Sequence, residues 1–146
     1  MVQHITDRVT IGGQAIDRAT LTGIKVASAK SGVSFQYLLA KAAQESSLKT
    51  DAQAEGSSAS GLFQFTRGTW LEMVKRYGAE TGLNDFAAKI LTGTDGKALV
   101  SDKDIESRIL SLREDPEVSA LMAAHYARDN AAALEGTLGR AADASD

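Results

Sequence analysis

The chain has 146 residues, enough for one domain with a real core, and its 43% apolar content argues against global disorder. Its formal net charge is −3 without any cluster of Lys or Arg, which disfavours a nucleic-acid partner. It has no Cys, so disulfides and thiolate metal ligands are excluded, and no apolar run reaches the length of a bilayer span.

The N-terminal stretch MVQHITDRVT lacks the basic-then-apolar order of a secretory signal. Beyond it, apolar residues recur mainly at helical spacing and there is a single Pro, so the chain reads as an all-α domain over residues 1–146. The first helix is expected over about Gln14–Lys30, with Ile16, Leu21, Ile24 and Val26 inward and Gly32 past its end. Ser34 is placed to cap a second helix over Phe35–Ser46, whose stripe is Phe35, Leu38, Leu39 and Ala42. A loop follows over Ser47–Ser60. A third helix is expected over Thr69–Tyr77 with Trp70, Met73, Val74 and Tyr77 inward, then a short one over Asn84–Leu91. The run TGTDGKALVSD carries turn residues and suits a small hairpin around Asp95 and Gly96. Ser101 or Asp102 starts the next helix, with Ile105, Ile109, Leu110 and Leu112 apolar. Asp115-Pro116-Glu117 then restarts a helix as cap, first-turn proline and acid. That last helix carries Val118, Leu121, Met122, His125 and Tyr126 and is expected to end near Leu134–Gly136, before a small, polar tail expected to fray.

The chemistry concentrates in QESSLKTDAQAEGSSASGLFQF, residues 44–65. Glu45 closes an Ala-rich helix, where an acid opposes the helix dipole. It falls seven residues after Leu38 and three after Ala42, at the rim of the apolar face. Partial desolvation there would raise a carboxylate's pKa, as a general acid requires. The alternative is a terminal-turn Glu that swings to water. The small residues from Gly56 to Gly61 let a ligand approach the backbone closely, and Phe63 and Phe65 would hold Gln64 between them. An amide with a donor and an acceptor end suits sugar hydroxyls and acetamido groups. The alternative is a surface loop running into a core segment.

Glu45-Ser46, a loop, then Ala59-Ser60-Gly61-Leu62-Phe63-Gln64 resembles the soluble lytic transglycosylase (SLT) domain family, lysozyme-like enzymes that cleave bacterial peptidoglycan. TRGTW and DPEVSALMAAHYARDN resemble a proteobacterial branch of it. Ser58 stands where the family has Gly, Arg67 where Pro is common, and Leu48 where an aromatic is common. The family's Ala-Tyr-Asn-Ala-Gly type motif is missing, and the resemblance implies that the domain continues past residue 146 into a further helix. It also implies a lysozyme-like fold, and cleavage of the β-1,4 bond from N-acetylmuramic acid to N-acetylglucosamine with formation of a 1,6-anhydro ring. Glu45 would be the acid and base, and Ser46 would orient the chemistry. Gly61, Leu62, Phe63, Gln64 and Tyr126 would contact glycan. No cofactor is implied. The expected setting is the periplasm or cell envelope, as a monomer, with a flagellar or secretion-system component as a candidate partner. Two alternatives stay open: a hydrolytic muramidase using Asp51 or Glu55 as second carboxylate, and a non-catalytic peptidoglycan-binding module. Glu72 and Glu80 read as surface charges, His125 as a satisfied core histidine and Trp70 as a core anchor.

Overall fold

The computed structural model describes residues 8–11 and 14–138; His4 and the polar tail over 141–146 lie outside them. The domain is mostly helical, as the apolar spacing implies, with two short antiparallel hairpins. The first hairpin corrects the sequence reading. Strand β1 (Arg8–Ile11) pairs with β2 (Gln14–Asp17), with Val9 opposite Ile16 and Thr10 opposite Ala15. Residues 14–17 are therefore strand, and helix α1 spans Arg18–Ser31. The physical reason is a two-residue alternation: Ile16 is buried while Ala15 and Asp17 are exposed, and the β-branched VTI of β1 supplies the partner. Helix α1 ends in Gly32 at φ 80°, whose N–H caps the Ser28 carbonyl.

Helix α2 (Phe35–Ser46) starts as expected, with Ser34 Oγ accepting from the Tyr37 N–H. Helix α3 (Arg67–Tyr77) begins two residues earlier than the pattern implied, because the Thr66 hydroxyl caps the Thr69 N–H. Trp70, Leu71, Met73 and Val74 are buried, and the Trp70 indole donates to the Ile109 carbonyl at 2.7 Å, so Trp70 is a core anchor. Helix α4 is only Asn84–Ala87: Ile90 is drawn into the core, and Leu91–Thr92 (β3) pairs with Ala98–Leu99 (β4) across the Asp95-Gly96 turn. Asp102 caps helix α5 (Lys103–Ser111), a 3₁₀ turn covers Leu112–Glu114, and Asp115 Oδ1 caps helix α6 (Pro116–Leu138) through the Val118 N–H.

The core is organised on α6. Ser119, Ala120, Leu121, Met122, Ala123 and Ala124 are all buried, so for nearly two turns this helix has no solvent face. Its most extensive partner is α1, which presents Thr20, Gly23, Ile24 and Ala27 at helical spacing. At Gly23 the helices nearly touch: a Cβ there would sit 2.7 Å from the Glu117 nitrogen and 2.9 Å from the Pro116 carbonyl carbon. Helix α3 is tied to α6 by Arg76 to Asp129 at 3.0 Å and by Tyr77 stacked on His125, ring centroids 4.5 Å apart. The Tyr77 hydrogen bond, followed by the Arg76 interactions, holds the Asp129 carboxyl below its ordinary pKa.

Two outcomes follow from this packing. Gly23→Ala gains about 1 kcal/mol in helix propensity. The clash with α6 backbone costs about 1–3 kcal/mol. A net loss of stability is expected in urea titration, and a gain would show that the helices part easily. Because the Asp129 pKa is depressed on folding, its contribution is present above the unfolded value of about 3.9 and is lost as pH falls through the folded value. Asp129→Asn should therefore be less stable than the parent at pH 6, with the gap closing below about pH 4.

Candidate active site

Three walls enclose a cleft of about 270 Å³. Helix α2 contributes Tyr37, Lys41 and Glu45, spaced four residues apart so that they stack along one face. The returning loop contributes Phe63, Gln64, Phe65 and Thr66, followed by Thr69 of α3. Helix α6 contributes Ala123, Tyr126, Ala127 and Asn130. An adjoining depression of about 720 Å³ shares Thr66, Thr69, Tyr126 and Asn130 with it, so the two form one groove across this face.

Glu45 reaches the cleft as its rim position implies, with a side chain 34% exposed and Oε2 3.3 Å from Lys41 Nζ. Among the described residues lining the cleft it is the only carboxylate. Asp51 and Glu55 are exposed on the loop and line neither part of the groove. The adjoining depression carries Glu72 and Asp129, and both are engaged: Glu72 Oε2 accepts the Ala98 N–H at 3.1 Å, and Asp129 pairs with Arg76.

The loop wall is held from behind. Ser60 bridges both Gln53 and Phe65, and the Gly61 N–H donates to the Ala52 carbonyl at 2.8 Å. Gln64 has φ 54°, an unusual conformation for a non-glycine residue. Its Nε2 donates to the carbonyls of Ala52 at 2.9 Å and Gly61 at 2.8 Å. The donor end of the amide is thus spent on the loop, and the carbonyl oxygen is the end left for a ligand. Phe65 packs its ring on Trp70 (centroids 5.3 Å apart) and edge-on to Tyr126 (6.0 Å).

Of the other expected contacts, Phe63 and Tyr126 line the cleft, Tyr126 with 41% of its surface exposed. Ser46, Gly61 and Leu62 do not line it. Ser46 is buried, and its hydroxyl donates to the Ala42 carbonyl one turn back at 3.0 Å. Leu62 is a fully buried core residue. Gly61 serves packing: at φ 88°, a Cβ on it would lie 2.1 Å from the Arg113 carbonyl oxygen. His125 lines neither part of the groove and packs on Tyr77.

Sequence reasoning missed Tyr37, Lys41, Thr66, Thr69, Asn130 and Arg113. Tyr37 and Lys41 were findable, standing eight and four residues before Glu45. Arg113 left no local signal, because the loop carbonyls it braces, those of Ser58 and Phe65, are distant in sequence. Its Nη1 donates to the carbonyls of Ser58 at 2.7 Å and Phe65 at 3.0 Å, and its Nε to Leu110 at 3.0 Å. Burial pushes its pKa down, Glu114 opposes this, and neighbouring Arg67 adds to it. Arg113→Ala should cost about 1–3 kcal/mol through unpaired loop carbonyls. It should also shift the emission of Trp70, the single tryptophan, because Phe65 rests on that ring. Lys should rescue poorly, since one ammonium cannot reproduce the guanidinium fork. Unchanged emission and midpoint would remove Arg113 from this role.

Among the described residues, no helix is long and apolar enough to cross a membrane. Residues 23–94 match the family model of the transglycosylase SLT domain. The matched stretch, about half of the chain, runs from the α1 crossing point through Glu45 and the loop wall to the second hairpin.

Proposed function

We propose that this chain, a member of the transglycosylase SLT domain family whose activity is on peptidoglycan in the cell envelope, is a lytic transglycosylase with Glu45 as its general acid and base. The observation that carries the reading is the solitary carboxylate. Glu45 stands on one wall of a three-sided cleft, with the Gln64 loop on a second wall and Tyr126 and Asn130 of α6 on the third. Hydrolysis by the usual pair needs a second carboxylate facing the bond. The groove across this face suits a polymeric glycan better than a small molecule.

In this mechanism Glu45 donates its proton to the glycosidic oxygen between N-acetylmuramic acid and N-acetylglucosamine. The C1–O bond breaks, and N-acetylglucosamine leaves with a free 4-hydroxyl. The substrate's own acetamido oxygen shares the positive charge at C1. The Glu45 carboxylate then accepts the proton of the C6 hydroxyl as that oxygen bonds to C1, closing the 1,6-anhydro ring without water. A neighbouring hydroxyl held in place has a high effective concentration, which makes this intramolecular closure competitive. The Gln64 carbonyl oxygen would accept a sugar hydroxyl or acetamido N–H, and the exposed Tyr126 offers flat apolar surface to a pyranose ring while the buried Phe63 backs the loop wall. The site of action is the periplasm or cell envelope, and a flagellar or secretion apparatus that needs a local opening in the wall is the partner in view.

The test is digestion of purified sacculi with mass analysis of the released ends. Anhydro-muramic ends, lighter than reducing ends by one water, are expected. Glu45→Gln should lower turnover by at least about a hundredfold, the lower range for a lost general acid and base. Reducing ends would make the protein a muramidase. Binding without cleavage would make it a glycan-binding module. Full turnover in Glu45→Gln would take the role from that residue.

A further inference from the structure

The cleft holds a cation that this reaction does not use. Lys41 stands one turn before Glu45 on α2, with Nζ 3.3 Å from Glu45 Oε2 and its side chain 42% exposed. Lys41 and Glu45 are the only two formally charged residues among those described as lining the cleft; the remaining walls are aromatic, hydroxyl, amide and alanine groups. Helix stability does not explain the pair. Lys before Glu at this spacing is the weaker orientation, and an acid in the last turn opposes the dipole. An exposed pair of this kind also contributes little and exchanges readily.

A glycosidic oxygen that engages Glu45 competes with the Lys41 ammonium for the same carboxylate. Glycan filling the cleft also displaces water from the ammonium, which is costly unless another anion replaces the lost partner. The flexible four-carbon stem and three rotatable donors of lysine let it swing to such an anion without moving the helix. We propose that Lys41 is a specificity-determining residue that takes up a carboxylate of the substrate while Glu45 is engaged. The preferred ligand is then an anionic, carboxylate-bearing glycan rather than a neutral one. This rests on the proposed function and narrows its substrate class. A lactyl ether on the sugar and an attached acidic peptide both supply the required carboxylate.

Calorimetric binding to the Glu45→Gln protein, which leaves ligands uncleaved, tests this with three probes. They are a chitin tetrasaccharide, the alternating muramic acid tetrasaccharide with free lactyl carboxylates, and the same sugar carrying its peptides. At least one carboxylate-bearing probe should bind roughly tenfold more tightly than chitin, the order expected for one charge-assisted hydrogen bond at a half-exposed site. The probe that shows the preference identifies the carboxylate. Adding Lys41→Met should bring the ratio close to one, while Lys41→Arg should keep it. The proposal is overturned if the ratio survives in Lys41→Met, or if Glu45→Gln shows no preference while binding all three probes. Failure of every probe to bind would overturn the glycan reading together with this proposal, whereas a surviving ratio overturns the role of Lys41 alone.

Discussion

The burial of Ser119–Ala124 on every side of α6 is the constraint on which the rest of the fold depends. A helix with no solvent face needs neighbours all around it, and they must come close. Three of the six residues over 119–124 are alanines, and α1 answers with Gly23 pressed against the backbone of the first turn of α6. Apolar burial supplies the driving force, but the small residues decide how near the axes lie. Helix α3 packs on another side, with Tyr77 against His125 and Arg76 against Asp129 at the surface. The same helix then emerges from the core carrying Tyr126 and Asn130, so the packing that buries Ala123 and Ala124 also fixes the third wall of the cleft.

The second wall is irregular backbone and is held differently. Ser47, Leu48 and Gln64 all adopt positive φ, a conformation that costs a non-glycine residue energy and persists only where its surroundings compel it. Here the compulsion is visible. Leu48 is buried, Gly61 lies against the Arg113 carbonyl, and the Arg113 guanidinium holds two loop carbonyls. Gln64 spends its own donor end on the same scaffold. A loop braced in this way, with Phe63 and Phe65 buried behind it, can offer a fixed amide oxygen to a ligand at little further cost in entropy.

Much of this was legible in the sequence because it is local. Ser34, Asp102 and Asp115 cap their helices, since a cap needs only a neighbour two or three residues away. The Asp95-Gly96 turn forms for the same reason, with Gly96 at φ 80°. Glu45 reaches the cleft because a helical repeat carries Leu38 inward and Glu45 to the edge. The errors are places where a distant partner overrides local pattern. Residues 14–17 fit a helix by spacing, but β1 offers them a ladder and Ile16 a buried slot. Helix α4 stops early because the core takes Ile90. Ser46 and Gly61 stand inside the motif without touching the cleft: a motif reports spacing along the chain, whereas facing is decided by packing.

The sequence by itself determined the helical class, the caps and turns, the lone acid at the end of α2 and the small-residue loop that returns to it. Each of these follows from periodicity or from chemistry within a few residues. Only the tertiary structure decided that α6 is the central helix and supplies the third wall, and that Arg113 braces the loop. It also decided that the Gln64 donor faces inward, and that Lys41 and Glu45 share the cleft while Asp51 and Glu55 stay outside it. Those relations join residues tens of positions apart. They are set by which apolar faces bury one another, and no local pattern records that choice.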